Sequence, residues 1–463
     1  MNEQQNIEFN SQIRKLQKVV GVGVQNLEPR PQLPQQQNLE PQLPKEWEVV
    51  PLDNKYIEFQ NGLWKGKKEP YIKVRVLRNT NFNNDGTIDF EDVAELNVEQ
   101  RNFKNREIIK DDIILERSGG GPTQPVGRVV FFEREDQFMY SFSNFTSRIR
   151  INDKLIIFPK FLFYFLLDFY YQGKTNDIQN RTTGIRNLDF SRYKQIPIPL
   201  PPLPEQQKIA AVLSAVQEAK EKTEAVIAAI KALKKSMVKH LFTYGPVSPQ
   251  EAENVPLKET EIGPVPEDWK VVRLGEIGNI ITGNTPSKNK KEYWEKGEIE
   301  FIKPPDLQNQ IITTFSEKIS NSAVRKARIV NKGTILVSCI GIIGRVGLSQ
   351  KSIAFNQQIN AIVPNENIYN HFLFYAIQVQ QKQIENLASF TTVPIVSKAK
   401  FSTVKIPLPP LPIQQKIASI LSAIDEKIEA EENKKKALEE LFKSLLHDLM
   451  TAKIRVNQLE ISS

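Results

Sequence analysis

The sequence predicts an α+β protein in which two mixed α/β globular domains are joined by two long helices that pair within the chain, the whole arising from an internal duplication. Three observations carry that prediction. Residues 198–213 read IPLPPLPEQQKIAAVL and residues 406–421 read IPLPPLPIQQKIASIL, an offset of 208 with Glu205 against Ile413 as the one mismatch in the tight core. Residues 44–52, PKEWEVVPL, recur as residues 266–274, PEDWKVVRL, at an offset of 222. An offset of 222 against 208 makes the first globular region 14 residues longer than the second, so its ends were kept while its interior diverged. Each proline run is followed by a long helix-forming stretch with apolar residues every three or four positions.

Taken in order, residues 1–43 form a glutamine- and proline-rich tail, with Gln35-Gln36-Gln37 and prolines at 29, 31, 34 and 41. Apart from a short helix at 13–20, such composition buries too little surface to order, and disorder is expected. The first globular domain spans 44–193. Residues 71–77 alternate as a strand, and 112–115 run into the loop Ser118-Gly119-Gly120-Gly121-Pro122. Residues 126–132 follow as a second strand, and 158–171, apolar but broken by Pro159, Lys160 and Asp168, read as a buried helix rather than a membrane span. Residues 194–245 hold the first proline lead-in and a helix from about 205 to 242. Proline lacks the amide proton and fixes φ, so the run is an extended lead-in with its last proline suited to a first helical turn. The helix seam is read at Ile209, Val212, Val216, Ala219, Thr223, Val226, Ile230, Leu233 and Met237, opposite a charged face. A linker at 246–265 precedes the second globular domain, 266–401. There the strand 333–338 runs into a glycine loop and Gly344-Arg345-Val346, as the first domain's strand runs into Gly127-Arg128-Val129. Residues 402–452 hold the second lead-in and helix, with Ile417, Ile420, Ile424, Leu438, Leu441 and Leu445 on its seam and Lys427, Glu431 and Lys434 interrupting it. Residues 453–463 are a C-terminal tail. About 38 residues at ~1.5 Å each make each helix ~57 Å long, and a stripe of that length needs a partner.

Composition narrows the function. The lone cysteine, Cys339, excludes an internal disulfide and any multi-cysteine zinc site, and fits a reducing cytoplasm. His240, His371 and His447 are scattered without metal-ligand spacing, and the two at helix ends suit helix-terminal charge. A net charge of +8 suggests a polyanionic partner. Residues 121–128 have five residues between the glycines, arginine for lysine and no serine or threonine after it, so they are not a phosphate loop. Lys303-Pro304-Pro305-Asp306 has the wrong flanks for the Asn/Asp-Pro-Pro-aromatic loop of amino-methyltransferases, and no glycine-rich cofactor loop follows a strand.

Nucleic acid fits the remaining pattern. Arginine pairs with guanine edges, asparagine and glutamine with adenine edges, and lysine with phosphates. Candidates of that chemistry are Arg78, Asn79, Arg128, Arg186, Lys303, Arg345, Asn356 and Gln357. The loops Ser118-Gly119-Gly120 and Asn284-Thr285-Pro286-Ser287 lack bulk, so their backbone can approach a ligand. Rival readings are a catalytic DNA methyltransferase and a coiled-coil scaffold with two protein-binding domains. The first lacks a visible cofactor loop or acidic cluster.

Together these stretches resemble the specificity (S) subunits of type I restriction–modification systems, over nearly everything from Pro44 onward. The motifs are Trp47-Glu-Val-Val-Pro-Leu52, Leu115-Glu-Arg-Ser-Gly-Gly-Gly-Pro122, Gly184-Ile-Arg-Asn-Leu-Asp189, Gly283-Asn-Thr-Pro-Ser287, Phe355-Asn-Gln-Gln-Ile359 and the two Pro-Leu-Pro-Pro-Leu-Pro-x-Gln-Gln-Lys-Ile-Ala stretches. The glutamine-rich tail departs from the usual pattern. The resemblance implies two target-recognition domains, each reading half of a split site in double-stranded DNA, and two helices in an antiparallel coiled coil that spaces them. It implies that the helices, here marked by Ile209, Val216, Ile230, Ile417, Ile424 and Leu438, dock two modification subunits, with restriction subunits as further partners. It also implies a non-catalytic cytoplasmic chain that binds no cofactor or metal, S-adenosylmethionine, ATP and Mg belonging to partner subunits.

Overall fold

The computed structural model describes residues 43–456, apart from 64–65, 67, 122–123, 183–184, 314 and 390–392. The tail expected to be disordered therefore lies outside the described residues except for Leu43, as do residues 457–463. The chain forms two compact units, one of residues 1–224 and 433–463, the other of residues 225–432, and each long helix is shared between them. Among the described residues no helix is long and apolar enough to cross a membrane.

The first unit is built on a four-stranded antiparallel sheet in the order Ile57–Asn61, Thr146–Ile151, Ile113–Glu116, Val129–Phe131. A three-stranded sheet, Ala94–Glu99, Tyr71–Leu77, Tyr140–Phe142, mixes antiparallel and parallel pairs. The helix Pro159–Tyr171 begins on its proline and is buried along nearly its whole length, as its apolar sequence requires. The second unit has a five-stranded sheet, Gly278–Thr282, Ile359–Pro364, Ile335–Ser338, Val346–Ser349, Gln310–Ile312, and a four-stranded one, Glu317–Ile319, Ile299–Ile302, Ile353–Phe355, Ile329–Val330. Its buried helix is Asn370–Val379. The linker is folded: Ser248 caps the turn Pro249–Ala252, and Leu257–Lys258 pairs with Val265–Pro266.

The duplicated stretches turn out to be two halves of one element. Glu48–Pro51, after Trp47, pairs antiparallel with Pro197–Leu200, with Val49 opposite Pro199. Lys270–Arg273, after Trp269, pairs in the same way with Lys405–Leu408, with Val271 opposite Pro407. The proline lead-ins are thus strands of isolated two-stranded ribbons, where a missing amide proton is tolerated. The helices that follow span Leu203–Tyr244 and Leu411–Met450, each with a proline in its first turn.

The first glutamine of each Gln-Gln pair is buried and the second exposed. Gln206 donates through Nε2 to Pro201 O (2.8 Å) and Ile156 O (2.9 Å), and its Oε1 accepts from Phe158 N (2.8 Å) at the cap of the buried helix. Gln414 repeats this with Pro409 O (2.9 Å), Asn367 O (3.4 Å) and Tyr369 N (2.9 Å). A side-chain amide with donor and acceptor at one tip can satisfy both chain ends at once, which a hydrocarbon cannot. Tyr164 meets Ser214 (3.1 Å) and Tyr375 meets Ser422 (3.4 Å), tying each buried helix to its long helix a second time.

The seam of the first long helix departs from the reading above. Ile209, Val216 and Thr223 are buried as expected, but the intervening buried positions are Leu213, Lys220 and Ile227, one residue beyond Val212, Ala219 and Val226. Val226 and Leu233 are 42% and 51% exposed. A helix that packs on a globular domain as well as on a second helix uses a wider, shifted stripe. Two lysines enter that stripe, which apolar periodicity could not reveal: Lys220 on Asp85, and Lys234 on Asp425 (2.5 Å). On the second helix Glu431 is buried beside Lys427 (2.6 Å), accounting for part of the polar interruption.

The mismatch of Glu205 against Ile413 has a structural reason. Glu205, 5% exposed, accepts from Trp47 Nε1 (3.1 Å) and from Arg455 Nε and Nη2 (2.6 and 2.9 Å). The C-terminal tail therefore folds back as far as the buried Val456, whereas Ile413 packs among apolar neighbours in the second unit. Removing the partner of a buried charge costs about 3–5 kcal/mol, whereas replacing the whole pair by an apolar group can be neutral. Arg455→Ala should therefore lower unfolding stability by roughly that amount, and adding Glu205→Ile should recover most of it. Urea titration followed by tryptophan fluorescence checks both steps.

Candidate nucleic-acid interface

Backbone hydrogen bonds bring several strand ends of the first unit to one edge. Gly62 N donates to Thr146 O (3.2 Å), Leu63 N to Phe142 O (2.8 Å) and Ser143 N to Leu77 O (2.9 Å). Arg117 N and Ser118 N both donate to Phe145 O (2.8 and 3.2 Å). Glu116 N donates to Arg128 O (2.8 Å) and Gly127 N to Glu116 O (3.1 Å). A Cβ on Gly62 would lie 1.7 Å from Ser143 O, so only glycine permits this approach.

The second unit repeats the frame with other side chains. Gly283 N donates to Ile359 O (3.0 Å), Asn284 N to Phe355 O (3.0 Å) and Asn356 N to Ile302 O (3.1 Å). Cys339 N donates to Gln358 O (2.8 Å), Ser338 N to Arg345 O (2.9 Å) and Gly344 N to Ser338 O (2.9 Å). A Cβ on Gly283 would lie 2.1 Å from Asn356 O. The register matches Gly62 with Gly283, Arg78 with Lys303, Arg117 with Cys339, Ser143 with Asn356 and Phe145 with Gln358. Asn284, Thr285, Asn356 and Gln357, candidates from the sequence, lie on this frame in the second unit, whereas Leu63, Ser143, Asn144 and Phe145, which share it in the first, are not among the candidates. The available signal was short: a glycine after the first strand, and a phenylalanine before the turn.

The candidate side chains are placed as follows. In the first unit Asn79 donates to Ser118 O (3.3 Å) and Glu116 Oε1 (3.4 Å), and Ser118 Oγ donates to Asn187 Oδ1. Gly119, at φ +109°, passes under the Asn79 amide, and Arg186 lies opposite Gly120 in the adjoining strand. The Arg78 guanidinium reaches Asp92 O (3.1 Å), and Phe145 is 46% exposed at its turn. Gly184 and Pro122 of the quoted motifs lie outside the described residues.

In the second unit Thr285 Oγ1 donates to Gln357 Oε1 (2.6 Å), and Asn356 Nδ2 donates to Gln358 Oε1 (2.9 Å), so these amides are held in fixed orientations. Asn284 donates to Lys326 O (2.6 Å), leaving its own Oδ1 unpaired and shielded. Ser287 is exposed, and its carbonyl accepts from Trp294 Nε1 (3.1 Å). Lys303 and Lys288 share Glu317 (2.8 and 2.5 Å). Burial pushes the Glu317 carboxyl up, but the two ammonium groups outweigh it and hold it below its ordinary value. Asp306 is spent capping its own turn, accepting from Lys303 N (2.8 Å).

Two expectations need correction. Arg128, expected to contact DNA, is 9% exposed and committed inside the fold. Its Nε and Nη2 fork onto Glu116 (2.8 Å each), Nη1 donates to Phe82 O (2.7 Å) and Nη2 to Asn79 O (3.0 Å). Glu116 is 1% exposed, and a carboxylate so buried demands this partner. Likewise Ile209, Val216, Ile417 and Leu438, expected to mark docking to other subunits, are fully buried in this chain's own cores, with Ile230 and Ile424 partly buried. The four buried residues pack the core of their own unit, Ile209, Val216 and Leu438 in the first and Ile417 in the second.

Among the described residues no three His, Cys, Asp or Glu side chains converge as a metal site. Burial pushes the Cys339 thiol up to about 12, so it carries little thiolate at neutral pH. The edges present amides, hydroxyls and cations, which suits recognition rather than bond-making.

A family model described as type I restriction modification DNA specificity domain matches this chain twice, at residues 44–232 and 266–440. The type I restriction enzyme MjaVIII specificity subunit of Methanocaldococcus jannaschii is 28% identical over 443 residues, covering 90% of this chain and 95% of its own length. The EcoR124I/EcoR124II specificity subunit of Escherichia coli is 31% identical over 245 residues, 50% of this chain and 56% of its own. Among solved structures, the type I S subunit from M. genitalium aligns with a TM-score of 0.54 at 19% identity, covering 89% of this chain and 98% of that one. A chain from a structure of type I R-M complex assembly aligns at 0.53 and 21%, covering 89% and 100%.

Arg128→Ala should leave Glu116 buried without a counter-charge and lower the stability of the first unit by about 3–5 kcal/mol. Chemical denaturation of the purified variant measures it, and Arg128→Lys should recover only part, because an ammonium cannot reproduce the two-pronged fork.

Proposed function

The chain belongs to the type I restriction–modification DNA specificity family, and from that premise we propose that each unit reads one half of a split site in double-stranded DNA through the edge described above. As a member of that family it supplies DNA sequence specificity and is a non-catalytic subunit. The observation that carries the two-reader proposal is the pair of matched backbone frames bearing different side chains. Arg78, Asn79 and Ser118 stand on one, Asn284, Lys303 and Gln357 on the other. A common frame with exchanged side chains is what two readers of different half-sites require.

The long helices act as the spacer, paired as an antiparallel coiled coil, and the duplication makes the chain pseudo-two-fold. Ion pairs within each unit support this. Glu205 meets Arg455 and Glu224 meets Lys435 in the first; Lys231 meets Glu432 and Lys234 meets Asp425 in the second. In each case rising numbers on one segment face falling numbers on the other. Two modification subunits dock on the helices, with restriction subunits joining where the system has them. S-adenosylmethionine, ATP and Mg reside on those partners, and the complex works in the cytoplasm. Since the seam residues are buried, the docking face is assigned instead to the exposed Val226 and Leu233, two helical turns apart.

If the helices are the ruler, four residues inserted after Ala229 lengthen one by ~6 Å. At ~3.4 Å per base pair the gap between half-sites should grow by roughly one to two base pairs, with both half-sites unchanged. Methylome sequencing of cells carrying the insertion decides this; an unaltered gap in a working enzyme removes the ruler. Leu233→Asp together with Val226→Asp should weaken association with modification subunits at least tenfold in sedimentation or calorimetry, while the melting of the free chain stays within about 2 °C, as for exposed positions.

A further inference from the structure

The two Gly-Arg-Val turns are alike in backbone and opposite in charge accounting. Gly127 and Gly344 both have positive φ, +106° and +83°, and both donate to the carbonyl of the residue ending the central strand. That strand-end residue in turn donates its own amide to the arginine carbonyl, at 2.8 Å in one unit and 2.9 Å in the other. It is Glu116 in the first unit and Ser338 in the second. The Glu116 carboxylate captures Arg128 in a two-pronged ion pair. The Ser338 hydroxyl is too short to do so and is already engaged, accepting from Arg345 N at 3.0 Å. The Arg345 guanidinium has no hydrogen-bond or ion-pair partner among the described residues, and it is only partly buried.

We propose that the strand-end residue decides the role of the arginine: Glu116 turns Arg128 into a positioning residue that holds the Asn79 loop, and Ser338 leaves Arg345 to contact a DNA phosphate. This rests on the DNA-reading role proposed above and deepens it. Arg128 acts through others, donating to Asn79 O and Phe82 O and so fixing where the Asn79 amide and the strand Ser118–Gly120 meet. Arg345 keeps all five of its donors and a full charge available to an anion. A phosphate, reached from a partly exposed turn, takes that charge without any further protein group. Replacing one residue type at one strand end thus converts a scaffold arginine into a ligand-binding one, and the two readers differ in their dependence on salt.

The complex of this chain with its modification subunits, binding a duplex that carries its mapped split site, tests this. Arg345→Ala should make the slope of log affinity against log salt shallower by about one unit, the contribution of one phosphate contact. Ser338→Glu should capture Arg345 and give the same loss of slope. Should the buried glutamate prevent folding, as thermal melting would report, the single Arg345→Ala variant still decides. An unchanged slope in Arg345→Ala, with the parent complex preferring its site, overturns the assignment of Arg345 and leaves the DNA-reading role standing. A parent complex with no preference for any split site overturns both.

Discussion

Each unit is closed by a ribbon of two short strands, Glu48–Pro51 on Pro197–Leu200 and Lys270–Arg273 on Lys405–Leu408. Everything between is a loop hung from that clasp, and the long helix starts at its edge. The entropy of closing such a loop grows only by about 0.6 kcal/mol per doubling of its length. A difference of 14 residues between the two interiors is therefore nearly free, while any change in the clasp would misplace both a domain and a helix. That explains why the two ends of the duplicated segment stayed alike as the interior drifted. The buried glutamines add a second reason. Gln206 and Gln414 each answer backbone groups from the clasp side and from the buried helix, so they join three elements at one point.

The divergence inside the clasp is confined in a telling way. Strand order and length differ between the units, yet the hydrogen bonds around Gly62 and Gly283 coincide. Both glycines are required because a carbonyl from the neighbouring turn comes to 1.7 and 2.1 Å from where a Cβ would stand, far inside van der Waals contact. Backbone amides make this edge rigid, so its side chains can change without moving it. A recognition surface gains from such separation: geometry rests on the main chain, identity on the side chains.

Charge follows the same division. A net charge of +8 marks the chain as a partner for polyanions, but many of its cations are already engaged. Arg148 lies on Glu58, Arg150 on the buried Asp112, Arg128 on Glu116, and Lys288 and Lys303 on Glu317. Buried carboxylates such as Glu116 and Asp112 require their arginines in place, whereas the half-exposed Glu317 can exchange its lysines for other cations at little expense. Which cation serves the fold and which serves a ligand depends on the burial of its carboxylate, not on the abundance of lysine and arginine.

The sequence by itself determined the α+β class, the repeated tryptophan and proline stretches, the first long helix to within two residues and the presence of the second, the buried helix after Phe158, and the strand–glycine–Gly-Arg-Val plan of each unit. Those features repeat or alternate along the chain, and periodicity is legible residue by residue. Only the tertiary structure decided that the tryptophan and proline repeats pair, that the helix seam runs through Lys220 and Lys234 rather than Val226 and Leu233, and that Ser143, Asn144 and Phe145 stand where Asn356, Gln357 and Gln358 stand. It also decided that Arg128 is enclosed and Arg345 is not. Nothing adjacent to either arginine distinguishes them, for both sit between glycine and valine. The difference lies in a residue several positions away, Glu116 or Ser338, brought alongside by antiparallel pairing. A charged side chain's fate is set by its partner across the sheet, and that partner is fixed only when the strands have found their register.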